Sequence, residues 1–238
     1  MINKASFKLS IIIPCYNEMN TIKQIINKVI DSVNYYNITM YEIIVIDDCS
    51  NDGTRQILNG LKSTLNLKIL FHEKNYGKGY AINTAIKSVT GDIVLIQDAD
   101  LEYDPYDYNK LLLPFFETNA DVVYGSRFLG GGKYVRIHFF WHFLANKILT
   151  FICNICTNLN MTDMETGYKV FKKKHIDQIR LYENSFGIEP EITIKLSKLK
   201  LRFFEVPISY NGRSYEEGKK IGLKDAFRAL YCILRYSL

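Results

Sequence analysis

The sequence predicts an α/β fold, a mostly parallel sheet covered by helices on both faces. Three observations carry this. Short apolar runs alternate with helically spaced segments through the first half of the 238 residues. A polar cluster follows each of four such runs. No linker, repeat or low-complexity stretch interrupts the chain, so one domain, 1–238, is expected to share one core.

Taken in order, Ser10–Pro14 (SIIIP) is a buried-strand run, and Ile22, Ile25, Ile26, Val29, Ile30 and Val33 then recur at helical spacing. A strand at Ile43–Ile46 precedes a helix from Thr54 to Leu65. Leu67–Phe71 and Ile93–Ile96 are further strands, with a helix over Lys78–Ser88 between them. Pro105–Glu117 reads as a helix with proline in its first turn, and Asp121–Tyr124 as the fifth strand. The second half is less regular. It holds a Gly130–Gly132 loop, a helical tract over 139–159, a short segment near Gly167–Phe171 and a helix near Pro190–Lys198. A strand near Phe203–Ile208 and a helix over Leu223–Tyr236 complete it.

Composition narrows the class. Hydrophobic residues at 47% and charged residues at 23% suit a globular chain and exclude a disordered tail or coiled-coil rod. No run of 18 apolar residues is present, and the first ten residues are too short and polar for a signal peptide, so a cytoplasmic address is expected. Residues 1–118 carry a net charge of −3 and residues 119–238 one of +8. That asymmetry suits a metal site beside an anion site, or simply a solvated basic face. No nucleic-acid motif accompanies the basic half, and no nucleic-acid partner is expected. Contact with an anionic membrane surface stays open. Five cysteines without an export signal are expected to be reduced, and the lone Cys153/Cys156 pair reads as helix packing.

The four polar clusters fall at consecutive strand ends, where ligands bind in such sheets. They are Cys15–Glu18, Asp47–Thr54, Lys74–Gly79 and Asp98–Glu102. Asp98 and Asp100 alternate after an apolar strand, so both carboxylates can reach one hard divalent ion, Mg2+ or Mn2+, with Glu102 as a further ligand. A capped turn with solvated carboxylates is the plainer reading. The adjacent Asp47 and Asp48 need a hydrogen-bonding or positive partner, and nucleobase or ribose groups would serve. Asp52-Gly53-Thr54 is a turn and helix start. Gly77-Lys78-Gly79 could cradle a phosphate, although it is neither a Walker loop nor a dinucleotide fingerprint.

Together these residues resemble the family 2 glycosyltransferases of GT-A fold, Rossmann-like α/β enzymes. The matching stretches are SIIIPCYNE at 10–18, VIDDCSNDGT at 45–54, NYGKGYA at 75–81, DIVLIQDADLEYDP at 92–105, VVYGSR at 122–127, TDMETGYKVF at 162–171 and FGIEPEI at 186–192. Within the family the chain looks most like the dolichyl-phosphate mannose/glucose synthase-like branch. The resemblance implies transfer of a hexose from a UDP- or GDP-sugar to a polyprenyl phosphate. Residues 1–125 would bind the nucleotide sugar and residues 126–238 the acceptor. Pro14, Tyr16 and Glu18 would line the nucleotide pocket, with Lys78 beside it and Asp48 or Asp47 facing the base. Asp98 would lie near the ribose and donor sugar, and Asp100 and Glu102 would hold the metal, where many relatives have Gln in place of Glu102. Arg127 would bind the acceptor or leaving phosphate, with Arg136, Arg213 and Lys219 as further phosphate candidates. Several relatives carry an Arg and a Ser one turn apart before an Ala-Asn pair. Here Ala145-Asn146 is preceded by His138 and His142, with Arg136 nearby.

A phosphate acceptor is already an anion and needs no strong base, whereas a sugar hydroxyl does. Asp163 and Glu165 are the candidates for that base, which keeps transfer to a saccharide hydroxyl as the alternative. A nucleotidyltransferase would open with a Gly-rich, basic loop where Tyr16-Asn17-Glu18 stands. A non-catalytic sugar-nucleotide-binding subunit would have no need of Asp98 and Asp100. The 139–159 tract and the last helix each carry an apolar face that suits core packing or a peripheral membrane contact.

Overall fold

The computed structural model describes residues 7–65, 67–130, 136, 139–213 and 222–238. Seven strands form one sheet: β1 (Leu9–Cys15), β2 (Tyr41–Asp47), β3 (Lys68–Phe71), β4 (Ile93–Ile96), β5 (Val122–Ser126), β6 (Lys169–Lys172) and β7 (Phe203–Pro207), in the order β3-β2-β1-β4-β6-β5-β7. β1 and β4 are buried along their whole length, which is why their sequences are continuous apolar runs rather than alternating ones.

One face of the sheet carries α1 (Ile22–Tyr35), α2 (Thr54–Thr64) and α4 (Tyr108–Glu117), which follows a short 3-10 turn at Pro105–Asp107. The other carries α3 (Lys78–Ile86), α5 (Phe140–Thr157), α7 (Ile188–Ser197) and α8 (Leu223–Ser237), while the four-residue α6 (Lys173–Ile176) follows β6. Alternation along β1 divides the core. Ile11 and Ile13 pack with Val29 and Leu111, and Ile12 packs with Ile82, Ile192 and Ile233. Each such isoleucine is worth about 1.5–3 kcal/mol in burial. Both clusters draw on the two halves of the sequence.

β6 departs from the simple alternation. The segment near Gly167–Phe171 is a strand, inserted antiparallel between β4 and β5. The remaining four pairings are parallel. The trailing ends of β1, β2, β4 and β5 and the leading end of β6 therefore meet at one edge of the sheet.

Candidate active site

At that edge lies a cleft of about 1160 Å³. Members of all four predicted polar clusters line it, beside Pro14 from β1: Tyr16 and Glu18; Asp48; Gly77 and Lys78; and Asp98, Asp100 and Glu102. β4 ends at Ile96 and delivers the last group. Lys78 Nζ, from the first turn of α3, stands 2.8 Å from Asp98 Oδ1 and 3.1 Å from Glu189 Oε1. Burial works to lower the Lys78 pKa, but Asp98 and Glu189 outweigh it and hold the ammonium well above its ordinary value. Asp100 is pushed up to about 7, by burial first and then by the Glu102 and Asp98 carboxylates. Glu102 accepts a hydrogen bond from the Arg213 backbone N–H at 2.8 Å and from the Tyr210 hydroxyl.

The two adjacent aspartates part company. Asp47 is wholly buried beneath the cleft, where its Oδ2 accepts from Arg55 Nε at 2.6 Å. It does not line the cleft. Asp48 does, and its carboxylate accepts from the N–H groups of Tyr76 (3.0 Å) and Gly77 (2.6 Å), with His72 Nδ1 at 2.6 Å. This binds the 75–79 loop to β2. The Gly77 N–H is thus engaged by protein rather than held open for a phosphate. The glycines serve another purpose: a Cβ on Gly77 would stand 2.4 Å from the Asn184 carbonyl oxygen, and one on Gly79 2.2 Å from that of Glu183. At Gly77 the φ of +100° also favours glycine.

The base candidates are separated as well. Asp163 is wholly buried and grips Arg127 bidentately, with Nε and Nη2 both donating at 2.7 Å, and accepts from Asn146 Nδ2 at 3.0 Å. Although burial works to raise its pKa, Arg127 holds it below the ordinary aspartate value. Such a carboxylate is a poor proton acceptor and a good anchor for Arg127, which lines the cleft. Glu165 also lines the cleft. Its Oε1 is buried without a hydrogen-bond partner, and burial, then the Glu189 carboxylate, push it up to about 7.

Phe128, Phe139, Trp141, His142 and Phe143 complete one wall. Arg136 is not among the lining residues; its N–H donates to the Tyr210 carbonyl and its Nη1 to that of Gly212. Arg213 does line the cleft. Lys219, His138 and most of the Gly130–Gly132 loop lie outside the described residues. Cys153 and Cys156 are both thiols, but only Cys153, buried in α5, fits the packing expectation; Cys156, on the next turn, is exposed because that side of the helix faces solvent. Sequence reasoning missed Arg55, His72, Lys169 and Glu189. Lys169 left one signal, a lone lysine within the apolar strand run Tyr168-Lys169-Val170-Phe171.

Among the described residues no three His, Cys, Asp or Glu side chains stand as a ready-made metal cluster. Mg2+ and similar ions are typically held by one or two carboxylates together with substrate phosphates. The donor set fits that mode: Asp100, Glu102 and Asp98 are all oxygen donors, and the other two crowd Asp100 enough to raise its proton affinity.

The glycosyl transferase family 2 model matches residues 10–180. A dolichol-phosphate mannosyltransferase of Pyrococcus furiosus is 28% identical over 233 residues, 96% of this chain and 64% of the relative. The chain therefore spans under two thirds of that relative's length. A UDP-N-acetylglucosamine–dolichyl-phosphate N-acetylglucosaminyltransferase of Methanococcus voltae is 28% identical and covered to 94% on both sides. Among solved structures, glucosyl-3-phosphoglycerate synthase of Mycobacterium tuberculosis, crystallised with Mn2+, UDP and phosphoglyceric acid, superposes with a TM-score of 0.71. It is 19% identical and covers 98% of this chain and 80% of its own. That likeness concerns the fold, which is GT-A. With the family pattern covering the sheet edge and most of the cleft, the chain belongs to glycosyl transferase family 2.

Proposed function

We propose that this glycosyltransferase moves a hexose from a UDP- or GDP-sugar to a polyprenyl phosphate, with inversion. One observation carries the reading: the carboxylates of Asp98, Asp100 and Glu102 share a single cleft with Arg127 and an aromatic wall from α5. The first half of the chain, 1–125, would hold the nucleotide sugar, and 126–238 the acceptor. The dolichyl-phosphate relatives support this acceptor class, and the UDP complex of the structural neighbour is compatible with the donor class.

A phosphate oxygen of the acceptor attacks the anomeric carbon while the bond from that carbon to the nucleoside diphosphate breaks. Bound Mg2+ or Mn2+, held by Asp100 and Glu102 beside Asp98, would supply charge neutralisation at the pyrophosphate. Lys78 orients Asp98, and Arg127, fixed by Asp163, presents a guanidinium to phosphate. Asp48 holds the loop that shapes the nucleotide end. Tyr16, Glu18 and Pro14 close its other side, while Arg213 borders the carboxylates and Lys219 would be a further phosphate contact.

The acceptor reading also bears on location. α5 exposes Phe140, Trp141, Phe151 and Ile155, and α8 exposes Phe227, Tyr231 and Leu234, with Lys224, Arg228 and Arg235 on α8. No helix among the described residues is long and apolar enough to cross a membrane. We place this face against the cytoplasmic surface of an anionic bilayer as a peripheral contact.

Glu165 favours a second reading, transfer to a saccharide hydroxyl, because a buried carboxyl pushed up to about 7 suits a general base. The deciding experiment is a divalent-metal-dependent assay of UDP and GDP release. It crosses UDP-glucose and GDP-mannose with polyprenyl phosphate and with simple saccharides, using Asp100→Ala as control. Release that needs polyprenyl phosphate and Asp100 is expected. Release with saccharides alone would transfer the assignment to the second reading, and donor binding without any turnover would leave a binding subunit.

A further inference from the structure

Four charged side chains stand in an alternating row that runs from the cleft lining, where Asp98, Lys78 and Glu189 stand, to Lys169 behind it. Lys169, the first residue of β6, is wholly buried. Its Nζ donates to the carbonyls of Met164 (2.7 Å) and Thr166 (2.6 Å) and stands 2.8 Å from Glu189 Oε2. An ammonium has three donors, and these contacts account for all of them. The Tyr124 ring lies beneath, its centroid 4.5 Å away. Glu189, in the first turn of α7, passes the contact on, since its Oε1 is the atom facing Lys78, which faces Asp98. Each Glu189 oxygen is thus ion-paired with one ammonium, Oε2 with Lys169 and Oε1 with Lys78.

The two carbonyls held by Lys169 belong to the residues on either side of Glu165. Gly167 closes the loop: a Cβ there would stand 2.2 Å from Asp98 Oδ2, so the 164–167 segment and Asp98 are in contact. One buried ammonium thus braces Glu165 through its flanking carbonyls and Asp98 through Glu189 and Lys78. Packing does not require this. A buried ion pair is often replaced by apolar residues of similar volume at no loss of stability.

We propose that Lys169 and Glu189 are positioning residues, which fix Asp98 and the Glu165 segment relative to each other without touching the nucleotide. The inference rests on the glycosyl-transfer reading above. It predicts a separation that simple bracing would not produce. Lys169→Met leaves Glu189 with one partner fewer and lowers the melting temperature. The pair variant Lys169→Met/Glu189→Gln removes both charges and recovers most of that loss. Turnover is not recovered: it stays about a hundredfold below wild type, the scale of a misplacement near 1 Å. Calorimetric UDP affinity in the presence of Mn2+ stays within about threefold of wild type, because the nucleotide contacts are intact.

The test measures melting, UDP binding and sugar turnover for wild type, both single variants and the pair. A pair variant that turns over within about threefold of wild type overturns the inference, as does a parallel collapse of UDP affinity in every variant. Should the lysine variants fail to fold, Glu189→Gln alone decides, since it keeps both carbonyl contacts of Lys169. Its hundredfold loss of turnover with UDP binding retained supports positioning, and wild-type turnover refutes it. Wild-type protein inactive with every donor removes the glycosyl-transfer reading and this inference with it, whereas an active wild type beside an equally active pair variant removes the inference alone.

Discussion

Arg213 Nη2 lies 3.0 Å from Asp100 Oδ2, joining residues 113 apart in sequence at the end of β4. The same guanidinium reaches Glu18 Oε1 and Glu102 Oε1, each at 3.4 Å. One cation therefore balances three carboxylates that would otherwise repel one another.

Replacing Arg213 should separate metal binding from turnover. In Arg213→Gln the carboxylates lose their internal counter-charge and bind Mn2+ several-fold more tightly without nucleotide. Turnover drops by about 10- to 100-fold, because phosphate charge loses a partner. Titration of Mn2+ by electron paramagnetic resonance, beside steady-state kinetics, checks both halves. Unchanged Mn2+ affinity would count against the balancing role.

Glu165 should leave a signature in the pH dependence of stability. Folding raises it from 4.5 to about 7, through burial and then Glu189. A carboxyl raised on folding binds its proton more tightly in the folded state. Its contribution is complete below about pH 4.5 and is lost as the pH rises through 7. Glu165→Gln removes the titration and is expected to exceed wild type at pH 8 by about 1–3 kcal/mol. Near pH 4 the two should nearly coincide. Thermal melts at both values provide the comparison, and identical pH slopes would contradict it.

The Arg127–Asp163 pair should behave as a unit. Asp163→Asn breaks a buried, bidentate contact and is expected to cost about 3–5 kcal/mol. A double-mutant cycle with Arg127→Gln should show a coupling of about 1–3 kcal/mol. Additive losses would mean that Asp163 does not act through Arg127.

For Asp48, the two N–H donors and His72 predict a donor-binding defect rather than a chemical one. Asp48→Asn weakens charge-assisted bonds, costing about 2 kcal/mol of stability and raising the donor KM about tenfold with kcat little changed. A fall in kcat at constant KM would place Asp48 in the chemical step instead.

Much of the cleft lining from the first half of the chain was legible because its signals are local. Each apolar strand run ends in the polar residues that line the cleft, and Asp98, Asp100 and Glu102 lie within five residues of one another. Asp47 and Asp48 mark the limit: adjacency shows two carboxylates but not which one points inward, and Arg55 decides that by capturing Asp47. The β6 insertion was hidden because a four-residue strand carries little pattern and its neighbours β4 and β5 are distant in sequence. The Lys169–Glu189 contact was hidden for a related reason, since it depends on where β6 and α7 meet.

The reversed direction of β6 shapes what this scaffold can become. Because β6 runs against its neighbours, the turn entering it, rather than one leaving it, faces the cleft. That turn carries Asp163 and Glu165, and its exchange need not disturb the register of β1 with β2 or β4. Grafting a longer or differently charged turn ahead of Lys169 would reshape the cleft beside Arg127 and Asp98 while the pairing of β1 with its neighbours stays an unaltered chassis.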